Sequence, residues 1–268
     1  MVFPLGTSNL QIKRGFTLVE LLIVLSIIAL LLALIMPAFG LARSYALRIV
    51  CQAYLHQWGI AFGEYALGNN DFYPHIDSRD RSKDLADEFG WVQVIPPIIK
   101  ERPFYDYPYG QRPDVGTFFQ CPAARLAPLS SYGYPIVRDG FFSYAMNSCL
   151  ELDMNCYEPD DIPGGNNMPP FLQTTLICHP SRVIMLFDQL LDPSLGYNGK
   201  LVNDSAGEHC GSYPKDFSAR HARPGSILGG SILYCDYHVE WRDTVWKSHW
   251  PDDLKAPPRN DRDWYPYP

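Results

Sequence analysis

Apolar residues form one unbroken stretch near the amino terminus of this chain. Between Leu21 and Met36 the sole polar residue is Ser26. A helix of about twenty such residues is long enough to span the hydrocarbon core of a bilayer. One carboxylate, Glu20, lies near the start, where a charge in hydrocarbon costs at least about 2.5 kcal/mol. The pattern predicts a transmembrane helix half over residues 16–38, with a carboxylate that needs a partner.

Beyond residue 38 the pattern becomes that of an amphipathic helix. Apolar positions recur at intervals of three, four and seven, at Leu41, Tyr45, Ile49, Ala53, Ile60 and Leu67. Pro37 removes one backbone hydrogen bond, which bends a helix, whereas Gly68-Asn69-Asn70-Asp71 is a stop signal. We therefore predict one helix from about Phe16 to Leu67, about 75 Å long. Its amphipathic half, residues 39–70, is expected to pack through this stripe against a globular domain.

Strand-like segments come later in the chain. They are residues 118–122, 141–147, 181–188 and 231–241, and the last breaks at a turn around Asp236-Tyr237. The proline-rich residues 96–113 predict an extended loop, and the aromatic tail 251–268 is expected to lie along the surface or fray. Strands that cluster after one dominant helix predict an α+β fold, with a mostly antiparallel sheet in a domain over residues 71–268.

Three interpretations compete for the amino-terminal segment. It is a secretory signal peptide cut near Gly40-Leu41-Ala42, an uncleaved signal anchor, or a segment cut on the cytoplasmic side between Gly15 and Phe16. The apolar run is long for a signal peptide, which also has no use for Glu20. In each case Lys13-Arg14 keeps this end in the cytoplasm by the positive-inside rule, so the rest of the chain lies outside.

The residues Gly15-Phe16-Thr17-Leu18-Val19-Glu20-Leu21-Leu22 distinguish these interpretations. They resemble the amino-terminal signature of type IV pilins and type II secretion pseudopilins. The resemblance implies that residues 1–15 are a leader, which a prepilin peptidase removes after Gly15 before Phe16 is methylated. It also implies that Glu20 pairs with the amine of a neighbouring subunit, and that Pro37 kinks the assembled helix.

The resemblance implies a pilin-like architecture and a structural role, and we expect no enzymatic activity. The subunit would cross the inner (cytoplasmic) membrane once and then pack with other pilin or pseudopilin subunits through its amino-terminal helix. The assembled form would be a periplasmic or cell-surface filament. A second class of function is a signal-anchored domain that binds a ligand or carbohydrate outside filaments. A groove lined by tryptophans would favour it, with candidates Trp58, Trp91, Trp241, Trp246 and Trp250.

Several later segments resemble one bacterial subgroup of pilin-like proteins, whose carboxy-terminal domain is named for a His, nine residues, then Asp-Gly. The similar segments are 51–57, 119–122, 143–147 and 181–188, together with Arg220-His221 and residues 231–239. Two departures stand out: fourteen residues separate His221 from Asp236, and Tyr237 replaces the Gly. Tyr237 would strain a turn that needs positive φ.

The net charge and the cysteines limit the partners, metal motifs and disulfides that are possible for this chain. The formal charge is −7, and the leader carries two of the 22 basic and none of the 29 acidic residues, so the mature chain is at −9. That balance argues against a nucleic-acid partner. Seven cysteines leave at least one thiol free, and the sequence lacks the C-x-x-C pair of zinc ribbons. Cys149 and Cys156 are close enough to bridge across a turn, whereas Cys51 lies in the helix and is expected only to pack.

Two groups of residues are candidates for chemistry. His221, Asp236 and His238 resemble a metal or acid-base cluster, although a turn cap and local hydrogen bonds explain them more simply. The resemblance to major pseudopilins, which bear a calcium in a carboxy-terminal loop, implies a second site. Carboxylates would hold the calcium there. The candidates here are Asp252, Asp253, Asp261 and Asp263, or Asp153 with Asp160-Asp161. We expect no other cofactor, and G-x-S-x-G and phosphate-binding motifs are missing from the sequence.

Overall fold

A computed structural model defines the architecture. It describes residues 16–74, 90–103, 106–108, 114, 116–124, 142–147, 149–150, 173–189, 217–218, 220–222, 228–243 and 263–266. The chain divides into two compact units between Arg43 and Ser44. A long helix and an antiparallel sheet confirm the predicted α+β class.

The long helix, α1, spans Leu18–Gly68 and is continuous through Pro37. The single helix that the sequence predicts is therefore confirmed. It ends where Asn70 and Asp71 adopt left-handed backbone conformations, with φ of 55° and 63°. Asn and Asp tolerate this conformation better than most residues, because their short polar side chains hydrogen-bond locally. The stop signal thus ends α1 as expected.

The part of α1 within the second unit, Ser44–Gly68, is termed here the packed half. Its buried residues follow one stripe: Cys51, Leu55, Trp58, Gly59, Ala61, Phe62 and Ala66. The predicted stripe is wrong, because Ile49, Ile60 and Leu67 are exposed. Both faces carry apolar residues at helical spacing, but the stripe with Trp58 and Phe62 buries the larger aromatic surface.

Among the described residues, five strands pair in antiparallel fashion. They are β1 (Tyr144–Met146), β2 (Ile184–Asp188), β3 (His221–Ala222), β4 (Leu228–Tyr234) and β5 (Val239–Arg242). β4 is central: it pairs with β2, with β5 and, at its first residues, with β3. The strands predicted over 141–147, 181–188 and 231–241 are confirmed in their cores, and the last forms a hairpin.

Two other local predictions are wrong. Residues 118–122 form turns, in which Gln120 N–H donates to the Thr117 carbonyl, so no strand forms there. The proline-rich segment is not wholly extended, because a helical turn α2 (Trp91–Val94) leads into a 3₁₀ turn at Pro96–Ile99. Proline suits the first position of such a turn, where its missing N–H has no helical partner to lose.

The two faces of the sheet pack against different parts of the chain. Met185 and Leu233 join a core that includes Trp58 and Phe62 of α1. Phe187 and Ile232 face a second cluster that contains Phe217 and Trp264, among others. Because Trp264 is fully buried, the expectation of a surface tail is wrong for residues 263–266.

The β4–β5 turn rests on α1 through an aromatic residue. Tyr237 has a φ of 70°, the strained conformation that a Gly would adopt freely. Its ring carbons lie 3.2–3.3 Å from the position that a Cβ on Gly63 would take, and its own Cβ is equally close to that of Gly59. Because the two helix glycines lack side chains, Tyr237 can pack directly against the helix backbone. This packing offsets the strain of its positive φ.

Candidate functional site

The start of α1 is a reciprocal cap built from Thr17 and Glu20. The Thr17 N–H and hydroxyl both donate to Glu20 Oε2 at 2.8 Å, and the Glu20 N–H donates to Thr17 Oγ1 at 3.2 Å. This is the capping-box arrangement, which satisfies amide groups that a helix start leaves without partners. Within the described part of the chain, Glu20 Oε1 makes no hydrogen bond. The carboxylate therefore has capacity for a further donor.

The part of α1 within the first unit, Leu18–Arg43, is termed here the apolar half. Eighteen large apolar side chains from Phe16 to Leu41 are exposed. The Ser26 hydroxyl donates to the Ile23 carbonyl at 2.7 Å, so the polar residue inside the run is satisfied within the helix. Monomeric soluble proteins rarely expose apolar patches above a few hundred Å². This surface requires lipid or other apolar helices.

Among the described residues, α1 is the one helix long and apolar enough to cross a membrane, and none of its most apolar window is buried. That window differs from the core helix of a soluble protein, which would be covered. Pro37 lies inside the apolar half, and Phe16 is exposed just before the helix. Gly15 lies outside the described residues, so the cleavage position stays a prediction.

The packed half carries a second apolar surface, termed here the exposed stripe. It comprises Ile49, Ala53, Ile60 and Leu67. At about 100° per residue these four positions fall within about 40° of one another, roughly opposite the buried aromatic residues. The helix in this unit therefore has one apolar face against the sheet and another apolar face in solvent.

A buried donor cluster lies where α1 meets the sheet, formed by Cys51, Cys121, Asp188 and His221. One ligand atom from each residue lies within 4.8 Å of all the others, and all four side chains are buried. Cys121 Sγ is 3.2 Å from His221 Nε2, which is 3.6 Å from Asp188 Oδ2. Cys51 Sγ is 3.4 Å from Asp188 Oδ1.

Neighbouring groups stabilise negative charge in this cluster. The Ser231 N–H donates to Asp188 Oδ2 at 2.7 Å, and the Ala123 N–H donates to Cys121 Sγ at 3.4 Å. The Tyr144 hydroxyl is 3.3 Å from Cys51 Sγ. A fourth group is the half-buried Arg220, whose guanidinium donates to the Gln189 carbonyl and the Ser218 hydroxyl.

Burial and charge oppose each other in setting the pKa values of the two thiols. Burial raises the pKa of Cys51. Burial also acts to raise the pKa of Cys121, but hydrogen bonds from Cys51 and His221 and the charge of Arg220 outweigh it and lower that pKa. The direction of this shift favours the thiolate form of Cys121, which is the form that binds metals.

Burial and neighbouring charges also act in opposite directions on the pKa values of the carboxyl and the imidazole of the cluster. Burial raises the pKa of Asp188, against the opposing charges of Arg220 and His221. The hydrogen bond to Cys121 raises the pKa of His221 although burial opposes it. Four ionisable groups thus lie buried within 4.8 Å of one another, and the pKa of each depends on the charges nearby.

The structure separates His221 from Asp236 and His238, which were candidates for one cluster. His221 lies beside the start of β4, while the other two occupy the turn after its end. The His238 N–H and ring Nδ1 both contact Asp236 Oδ1. These local bonds agree with the interpretation of Asp236 as a turn cap.

Of the calcium candidates, Asp263 alone lies in the described part of the chain. Its Oδ1 accepts bonds from Arg182 at 2.7 and 2.9 Å, and Arg242 lies 3.8 Å from Oδ2. Two guanidinium groups already neutralise this carboxylate. Asp252, Asp253 and Asp261 lie outside the described residues, as do Asp153 and Asp160-Asp161, so the calcium hypothesis stays a prediction.

The cysteines divide into bonded and free groups. Cys149 is disulfide-bonded. Its predicted partner, Cys156, lies outside the described residues, so that pairing stays a prediction. Cys51, Cys121, Cys178 and Cys235 are free thiols. Cys51 contributes to a donor cluster, which corrects the expectation that it only packs.

Comparison with known proteins matches one segment. A family model described as the prokaryotic N-terminal methylation motif covers residues 11–36. No curated protein and no solved structure matches the chain. The motif together with the α+β fold supports a type IV pilin-like, membrane-anchored protein. The matched segment ends at residue 36, so the resemblance of later segments to the His-Asp subgroup stays a prediction.

Proposed function

We propose that this chain is a structural subunit of a filament or pseudopilus, in a type IV pilus-like or type II secretion-like system. The observation that carries the proposal is the exposed apolar half of α1, whose first turn contains the cap of Thr17 and Glu20 inside the matched motif. The chain inserts in the inner membrane with its leader in the cytoplasm. A prepilin peptidase then cuts after Gly15, Phe16 is methylated, and the mature subunit remains in the membrane until assembly.

Assembly exchanges one apolar environment for another. Transfer of each large side chain of the apolar half from lipid to water would cost roughly 1.5–3 kcal/mol of free energy. The helix therefore leaves the bilayer only to pack against other helices. Neighbouring subunits supply those helices. The filament thus stands outside the cytoplasmic membrane, in the periplasm or on the cell surface, and no nucleic acid is involved.

Glu20 supplies the register of this assembly. Cleavage creates an amine at Phe16, and a neighbouring amine is the cation best placed to neutralise a carboxylate inside an apolar bundle. A lone buried carboxylate is costly, whereas a paired and hydrogen-bonded one is tolerable. The capping bonds use Oε2, so Oε1 is available to the neighbour without loss of the cap.

The exposed stripe extends the contact beyond the membrane-spanning half. Ile49, Ile60 and Leu67 are too apolar to be favoured in water, and they lie away from the sheet. In a filament these side chains would pack on neighbouring subunits. We propose a packing role, not a catalytic one, for the described surfaces of this chain.

The other candidate is an anchored domain that binds a ligand or carbohydrate and does not assemble. It required a tryptophan-lined groove. Trp58 and Trp91 are buried and meet edge to face at 5.6 Å, so they are core residues. Trp241 is half-buried and donates from Nε1 to the His221 carbonyl, and the other two lie outside the described residues. Three of the five candidates are thus already engaged.

Isolation of filaments tests the proposal. Sheared or periplasmic filaments from cells that express the chain should contain it, whereas a Glu20→Ala variant should insert in the membrane but be depleted from filaments. Glu20→Gln is the matched control, because it keeps the hydrogen bonds to Thr17 and loses the charge. Filaments that lack the wild-type chain, or normal assembly of both variants, would contradict the proposal.

A further inference from the structure

We propose that the buried donor cluster is a structural zinc site, in which Cys51, Cys121, Asp188 and His221 bind one Zn²⁺. The cluster combines the three ligand types that zinc accepts in proteins, and thiolate with imidazole favours zinc over calcium or magnesium. The proposal does not depend on filament assembly, because all four residues lie within the second unit.

The distances in the cluster fit tetrahedral coordination. Around a zinc with bonds of about 2.0–2.3 Å, neighbouring ligand atoms lie about 3.3–3.8 Å apart. The measured separations are 3.2 Å for sulfur to nitrogen, 3.6 Å for nitrogen to oxygen and 3.4 Å for sulfur to oxygen. Asp188 contributes Oδ2 to one of these separations and Oδ1 to the other. With one atom from each residue, all four lie within 4.8 Å of one another, so small side-chain movements would bring them to the corners of one coordination tetrahedron.

The charges in the cluster balance with zinc present. Two thiolates and one carboxylate carry three negative charges, which Zn²⁺ and the guanidinium of Arg220 neutralise while His221 stays neutral. Buried charges persist only when they are compensated in this way. The Ala123 N–H and the Tyr144 hydroxyl then donate to the two thiolates, which is the usual support for metal-bound sulfur.

The site would be structural rather than catalytic. All four ligand positions are occupied by protein side chains, and each of these side chains is 0–1% exposed, so no position is open to substrate. The ligands come from α1, from the turn at Cys121-Pro122, from β2 and from β3. Zinc would therefore tie the packed half of α1 to the sheet, across segments distant in sequence.

Metal analysis of the full chain tests this proposal. The chain, without a histidine tag, is extracted in detergent and assayed for metals and for thiols under denaturing conditions. We expect about one zinc per chain. Replacement by Co²⁺ should give the visible and near-ultraviolet bands of tetrahedral cobalt bound to thiolate. The cobalt spectrum needs no variant, so it remains informative if substitutions prevent folding.

Matched cysteine variants locate the site. Cys121→Ala should lose the zinc, while Cys235→Ala, which removes another buried free thiol outside the cluster, should retain it. Removal of zinc by a chelator should lower the melting temperature of the Cys235→Ala variant but not that of Cys121→Ala.

Three results would overturn the proposal. Absence of metal with both thiols free would make the cluster an ion-pair network around Arg220. Absence of metal with a mass lower by two hydrogens that Cys51→Ala abolishes would make it a Cys51–Cys121 disulfide. Equal zinc in the Cys121→Ala variant would place the metal elsewhere.

Discussion

The two halves of α1 share one continuous helical backbone but differ in what their side chains contact. In the apolar half, Leu18–Arg43, every described side chain is exposed, and apolar residues surround the helix. In the packed half, Ser44–Gly68, one stripe is buried under the sheet. A helix that is apolar all round belongs in lipid or in a bundle, and a helix with one buried stripe belongs to a domain.

The difference shows that composition and periodicity carry separate information. Composition alone predicts where the apolar half can reside. Periodicity predicts that the packed half is amphipathic, but two apolar faces compete there, and only aromatic volume separates them. The face with Trp58 is in the core, and the face with Ile60 remains for a neighbour.

The largest effect on stability is expected from the loss of a core side chain in the packed half. Trp58 is fully buried, and its Nε1 donates to the Phe118 carbonyl at 2.9 Å. Trp58→Ala should lower the free energy of unfolding by about 3–5 kcal/mol. Ile60→Ala, on the opposite face, should change it by no more than about 0.5 kcal/mol. Thermal and denaturant unfolding of the full chain in detergent measures both, and equal effects would mean that the face assignment is wrong.

A second substitution tests whether the apolar half inserts in the membrane. Leu30→Arg places a charge near the middle of the apolar run and should disfavour membrane insertion by about 2.5–3.5 kcal/mol. Leu67→Arg, at an exposed position of the packed half, should leave insertion unchanged. The fraction of chain that resists carbonate extraction measures insertion. Retention of the Leu30→Arg variant at the level of the Leu67→Arg variant would contradict a membrane role for this half.

The smallest effect compares one glycine from each half. A Cβ at Gly59 would lie 2.9 Å from Leu233 Cδ1 and 3.3 Å from Tyr237 Cβ, so Gly59→Ala should destabilise the domain by about 1 kcal/mol. Nothing lies within 4 Å of a Cβ at Gly40. Gly40→Ala should therefore leave the domain's melting temperature unchanged, while its helix propensity improves by up to about 1 kcal/mol. Melting curves that fall equally for both variants would refute the distinction.

Much of the fold could be predicted because its signals are local. The stop at Asn70 and Asp71 and the turn at Asp236-Tyr237 are each marked by residue types within the turn itself. The turns at 118–122 and the burial of Trp264 could not be predicted, since each depends on contacts with distant segments. Trp264, for example, is buried because its carbonyl accepts from Asn147 and its ring lies 5.8 Å from that of Phe187.

The candidate sites divide in the same way. The cleavage and methylation motif is contiguous, so the sequence shows it directly. The donor cluster joins Cys51, Cys121, Asp188 and His221 from four separate elements, and no spacing rule connects them. The segments that resemble the bacterial subgroup of pilin-like proteins contain all four residues. The sequence therefore does carry a signal, but nearness along the chain favours a grouping of His221 with Asp236 and His238, which lie apart from it in the fold.

The mass of the mature chain tests the central claim most directly. A chain isolated from membranes or filaments of its own cells should begin at Phe16 and carry one additional methyl group on its amine. The same chain from cells without the peptidase should retain residues 1–15. A mature protein that begins after Ala42, or that keeps its leader in the presence of the peptidase, would contradict the assignment of this chain as a processed pilin-like subunit.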